Sequence, residues 1–121
     1  MNAYMFHAAL WCEDCIRRFK HDHVKPDHVD ESDEYTYDSD EWPKGPYANG
    51  GGEADCPQHC DSCGVFLETP LTPDGDTYVR EAASEFETES DMSWEEIAVA
   101  ADNDGQPVLA DWIRFYFAWG Q

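Results

Sequence analysis

Cys12-Glu13-Asp14-Cys15 and Cys60-Asp61-Ser62-Cys63 stand 44 residues apart, and each pair has the spacing that turns two sulfurs toward one point. Four thiolates close a tetrahedral zinc site, because zinc accepts four sulfur ligands with no d-electron geometry of its own. The expected cofactor is therefore zinc, held by Cys12, Cys15, Cys60 and Cys63. Gly64 follows the second pair, where the turn behind a metal knuckle favours a residue that tolerates positive φ; Ile16 follows the first. Two disulfides are an alternative that needs an oxidising compartment, and no apolar signal-peptide core follows Met1, since Tyr4, His7 and Glu13 break the run. Redox catalysis by one C-x-x-C needs a βαβ setting that the pattern lacks. Cys56, the fifth cysteine, and His59 are substitute ligands by proximity, but the four-residue step from Cys56 to Cys60 fits less well than either pair.

A site closed by four cysteines leaves the metal no position for water, which argues against metal-assisted hydrolysis. The chain has no glycine-rich phosphate loop, no G-x-S-x-G and no H-E-x-x-H. Asp102-Asn103-Asp104-Gly105 resembles the middle of a calcium loop, but Ala100 falls on the first ligand position and Pro107 where an amide is needed. No catalytic residues emerge, and the expectation is a protein that is not an enzyme.

The elements that must position the cysteines follow from local pattern. Ala3 to Leu10 is a mixed apolar run suited to a strand entering the first knuckle. Cys15 to His21 reads as a short helix with Ile16 and Phe19 on its inner face, ended before Pro26. Residues 27 to 55 show no helical period and are punctuated by Pro43, Gly45, Pro46 and Gly50-Gly51-Gly52, so they read as a long acidic loop inserted between the half-sites. Past the second knuckle, Val65 to Glu68 and Thr77 to Val79 read as strands of a small hairpin. Arg80 to Glu87 reads as helical. Ser93-Trp94-Glu95-Glu96 is a capping box that opens another helix. Pro107 starts a last helix that runs to Ala118 and is closed by Gly120, with Leu109, Trp112, Ile113, Tyr116 and Trp119 as its core stripe, broadened by Phe115 and Phe117. The expected fold is α+β: a small zinc-ribbon-like β-hairpin core, two or three helices, and a C-terminal helix packed on the core. Residues 1–121 are expected to form a single zinc-stapled domain with an acidic loop insertion at 27–55, short enough to profit from a metal staple.

Charge narrows the partners. Twenty-seven Asp and Glu stand against seven Lys and Arg, a formal −20, and a four-thiolate zinc site makes the balance more negative still. Phosphate backbones repel such a surface, so direct nucleic-acid binding is not expected. The cations Arg17, Arg18, Lys20 and Lys25, with His21, His23 and His28 nearby, suit a helix face that pairs with acidic segments of the same chain. No stretch approaches the ~18 apolar residues of a membrane span. Seventeen aromatic residues argue for a folded core.

The stretch from His59 through Cys60, Cys63, Gly64, Phe66-Leu67-Glu68 and Pro70-Leu71-Thr72 to Gly75 and Tyr78-Val79 resembles a segment of small uncharacterised bacterial and bacteriophage proteins. They pair it with an N-terminal Trp-Cys-x-x-Cys, here Trp11-Cys12-Glu13-Asp14-Cys15; the resemblance covers about a third of the chain, and the acidic loop and Cys56 lie outside it. It implies a zinc-ribbon-like fold and a phage or prophage origin, hence the host cytoplasm, and carries no activity across. By charge alone the chain is similar to acidic DNA mimics, including anti-CRISPR and other anti-defence inhibitors. The expected function is binding to a basic surface of a nucleic-acid-handling host complex. The candidate surface is Asp30, Glu31, Asp33, Glu34, Asp38, Asp40 and Glu41 in the loop, with Glu85, Glu87 and Glu89 further on. The alternative is a structural or regulatory zinc ribbon without mimicry, acidic because its host is halophilic.

Overall fold

Ala3–Phe6 (β1) and Ala9–Cys12 (β2) pair as an antiparallel hairpin in a computed structural model that describes residues 1–119. The run that reads as one strand is broken at His7-Ala8, whose φ angles of 51° and 59° give the left-handed two-residue turn that matches strand twist. Ala3 and Phe6 are both buried on β1, Ala3 beside the cysteines and Phe6 against Phe19 of the following helix. The hairpin returns the chain so that Cys12 ends β2 and caps α1 (Glu13–Asp22). That helix buries Cys15 and Ile16, and it places Glu13 and Asp14 in its first turn and Lys20 and His21 in its last, matching the helix dipole.

The structure divides into two compact units, one spanning Met1–Pro70 and one beginning at Leu71. Within the first, the segment that reads as a loop contributes β3 (Lys44–Tyr47), which pairs with the free edge of β1 to give the sheet order β2-β1-β3. Val29, Tyr37 and Trp42 form a buried cluster there with Phe19 of α1 packed on it. Short 3-10 turns occupy Glu34–Thr36 and Asn49–Gly51. Periodicity misses this order because carboxylates supply it: Asp33 caps the first turn through the Tyr35 amide, and Asp30 and Asp38 accept the amides of Ser32 and Asp40 at 3.0 and 2.9 Å.

The second unit is helical: α2 (Pro73–Ser84), α3 (Trp94–Asn103) and α4 (Pro107–Ile113), the last continuing into a π-helical stretch, Arg114–Ala118. The hairpin expected from Val65 to Val79 does not form. Only an isolated bridge, His59 to Phe66, remains of its first strand, and Thr77 to Val79 lies inside α2. Local capping decides the outcome: Thr72 Oγ1 accepts the Gly75 amide at 3.1 Å, Pro73 takes the first turn, and Asp74 and Asp76 favour its positive end. Ser93 caps α3 by accepting the Glu96 amide at 3.1 Å, as the capping box predicts. Val79, Ala83, Ile97, Ala98, Ala101, Leu109, Ala110, Ile113 and Phe117 make one core, on which the C-terminal helix packs. Trp119 leaves the expected stripe and is 59 % exposed. The Trp119 amide bonds back five residues to Arg114 in this wider turn, and Phe117, expected at the margin of the stripe, is buried in the core. Closure by Gly120 lies outside the described residues. The chain is thus α+β, and no helix among the described residues is long and apolar enough to cross a membrane.

Candidate metal centre

β2 and α1 deliver the first cysteine pair, and the tight turn from Cys60 to Gly64 delivers the second. Cys12, the α1 N-cap, accepts the Cys15 amide at 3.4 Å through Sγ. In the second knuckle the Gly64 amide donates to the Cys60 carbonyl at 2.9 Å, and Gly64 takes the positive φ of 80° that such a turn requires. The Cys60 amide donates to the Val65 carbonyl at 2.9 Å, and the Asp61 amide to Leu10 of β2 at 2.8 Å, which fixes the second knuckle against the first.

The four ligand sulfurs of Cys12, Cys15, Cys60 and Cys63 all lie within 4.8 Å of one another; the first three residues are buried and Cys63 is exposed. They can hold a metal ion. Cys12 and Cys63 Sγ are 3.7 Å apart, far beyond the ~2.05 Å of a disulfide bond. Cys56 is exposed and is not one of the four; its sulfur accepts from Gln58 at 3.4 Å. His59 is likewise not one of them, and its Nδ1 engages the Gly64 carbonyl at 2.9 Å.

The electrostatics of the cluster suit a cation. Burial pushes the Cys12 thiol up to about 12, with neighbouring thiols adding to the rise, and burial raises Cys15 as well. Burial acts in the same direction on Cys60, but hydrogen bonds from the Cys12, Cys63 and Ser62 backbone outweigh it and bring this thiol down to about 6. Burial thus holds the protons of Cys12 and Cys15 while the Cys60 thiol gives its proton up more readily, and a metal ion bound here would replace those protons with positive charge. The α1 N-terminus and the Arg18 guanidinium, 4.0 Å from Cys15 Sγ, add positive potential that favours the thiolate form of the sulfurs and offsets the net negative charge of a four-thiolate site. Trp11 packs against the buried cluster that contains Cys12, Cys15 and Cys60, and its Nε1 is buried without a hydrogen-bond partner among the described residues.

The acidic positions separate into two kinds. All ten residues singled out in the sequence are exposed. In the loop, most carboxylates turn back on their own segment: Glu31 accepts Trp42 Nε1 at 2.8 Å and pairs with Lys20 at 3.4 Å, and Glu41 pairs with His28. Asp40 faces His7 at 3.8 Å. Glu34 and, in the second unit, Glu85, Glu87 and Glu89 form no ion pair among the described residues. Sequence reading missed the anchoring role of Glu31 and Trp42; the aromatics Tyr35, Tyr37 and Trp42 set within an acidic run were the available signal. Comparison with protein-family models, curated proteins and solved structures finds no match to this chain.

Proposed function

We propose that the chain is a zinc-stabilised, non-enzymatic binding protein that presents an anionic surface to a basic partner. The observation that carries the first half is the four-cysteine cluster, with its sulfurs within 4.8 Å of one another. A four-sulfur donor set selects zinc or iron among common metals, and tetrahedral zinc with bonds of about 2.3 Å spaces its sulfurs about 3.8 Å apart. The Cys12 to Cys63 separation of 3.7 Å fits that spacing. Zinc held there supplies charge neutralisation and a covalent-strength cross-link; Cys12, Cys15, Cys60 and Cys63 hold it, and no ligand position is left for chemistry. Metal analysis of purified protein tests this: about one equivalent of zinc is expected, and less than about half, or iron in its place, would sink the zinc reading.

The formal −20 supports the second half. A basic surface that normally receives phosphates, in a nucleic-acid-handling complex of a bacterial host, is the partner this charge fits best, and phage-encoded inhibitors in the host cytoplasm are the class it suits. Electrostatic steering gives fast association that weakens with salt. Pull-down from host lysate at low salt, eluted with rising salt, tests it: retention that does not respond to salt removes its physical basis.

One observation favours a second reading. Most loop carboxylates serve their own fold through Trp42, His28, Lys20 and backbone amides, which is what a structural zinc protein of a salt-rich host needs. Folding in dilute buffer discriminates: a halophile-adapted chain unfolds there, and a mimic stays folded.

A further inference from the structure

The second unit carries a groove with no charged residue in its lining, set on an otherwise acidic surface. It has a volume of about 520 Å³ and lies between α2 and the start of α4, lined mainly by Tyr78, Ala82, Pro107, Val108, Leu109 and Trp112. Tyr78 and Val108 are 50 % and 49 % exposed, and the Tyr78 and Trp112 rings lie 6.2 Å apart at its base. Large apolar side chains held half in water on a helical surface mark an interaction site more often than a single stray residue does.

The surroundings decide what fits. Glu81 lies one turn beyond Tyr78 on α2 and Asp74 one turn before it; Asp111 follows Val108 by three residues on α4, and Asp104 precedes the groove residue Gly105. All four acids are exposed. From residue 71 onward the chain has twelve acids against Arg80 and Arg114, a formal −10. Both arginines are engaged elsewhere: Arg80 bonds Asp76 at 2.6 Å and lies over the Phe117 ring, and Arg114 bonds Glu95 at 3.0 Å. A second copy would set −20 against −20, and anionic lipid or nucleic acid is repelled in the same way. A positively charged occupant with an apolar ridge is left.

We infer that the groove between α2 and α4 docks a basic amphipathic helix of a partner protein. Apolar side chains at i, i+3 or i+4, and i+7 enter between Tyr78, Val108 and Trp112, and flanking Lys or Arg meet Asp74, Glu81, Asp104 and Asp111. The inference rests on the reading that the partner is basic, and adds where it binds and in what conformation.

The test uses two labelled peptides of ~18 residues with identical Leu, Lys and Ala composition, one with leucines at helical spacing and one scrambled. Fluorescence anisotropy with the full-length, metal-loaded protein at moderate salt reads both affinities. The amphipathic peptide is expected to bind at least about tenfold more tightly. Tyr78→Ala with Val108→Ser, at two half-exposed positions, is expected to leave the helical circular dichroism unchanged and to bring the amphipathic peptide down to the scrambled level without affecting the scrambled peptide. Equal, salt-sensitive binding of both peptides overturns the groove but keeps the basic-partner reading. If neither peptide binds, both readings are overturned. A dimer in sedimentation that the double variant dissolves would assign the groove to a second copy and overturn the inference.

Discussion

Four sulfur atoms converge from two knuckles, and a fifth cysteine nearby stays apart. Cys15→Ser or Cys60→Ser removes a buried ligand and is expected to drop bound metal from about one equivalent to below about half, whereas Cys56→Ser leaves it unchanged; elemental analysis beside a thiol count reads both. The same cluster predicts a direction with pH. Because burial holds protons on Cys12 and Cys15, metal entry must displace them, so affinity falls as pH falls, by about 100-fold per pH unit for two protons released. Competition with a chromophoric chelator across neutral pH measures that slope, and a flat profile contradicts it. The four-cysteine cluster was legible in the sequence, since C-x-x-C spacing is a local property. That Arg18 and Trp11 would sit beside it was not, because their places depend on the hairpin and on α1.

Single elements show where local pattern decides and where it does not. Ser93 and Pro107 announced α3 and α4 because caps act within one turn, and Thr72-Pro73 would have announced α2 on the same logic had the apolar Tyr78-Val79 not suggested a strand. β3 was illegible: Lys44–Tyr47 contains Gly45 and Pro46, and its pairing depends on β1, far away in the chain. Gly50 shows how tightly this region closes. Its amide donates to the Met1 carbonyl at 2.5 Å, its φ is 63°, and an added Cβ would meet the Leu67 carbonyl oxygen at 2.4 Å. Gly50→Ala is expected to cost roughly 1–3 kcal/mol, read by chemical denaturation of the metal-loaded protein. The acidic segment makes its own prediction through Glu31. The Trp42 N–H, ahead of the Lys20 charge, holds its carboxyl below the usual glutamate range. A depressed folded value means that the carboxylate stabilises fully above the ordinary pKa of about 4.3 and loses that contribution as pH falls through the lower folded value. The stability gap between wild type and Glu31→Gln is therefore expected to be full near pH 6 and to close below about pH 4; a pH-independent gap would refute the assignment. Glu31 is 46 % exposed in its side chain, so the gap is small.

At the scale of the whole molecule, the two units differ in what holds them. Cys12, Cys15 and Cys60 make up most of one buried cluster in the first, beside Ala3 and Leu67, whereas the second has nine buried apolar residues and no cysteine. Chelation is expected to strip amide-exchange protection from residues 3 to 67 while most of the far-ultraviolet helical signal, which comes from α2, α3 and α4, persists. Loss of both signals together would contradict it. The charge is spread over both units, with fifteen acids before residue 71 and twelve after, so self-repulsion opposes folding throughout and added salt relieves it. The separation of the two knuckles has a further consequence, in time. A ribosome adding about 5–20 residues each second makes Cys15 several seconds before Cys60. For that interval a two-thiol half-site stands open, able to capture a stray metal or an oxidant before its other half exists. The yield of correctly loaded protein then depends on the supply of metal and reductant around the nascent chain as much as on the stability of the finished fold.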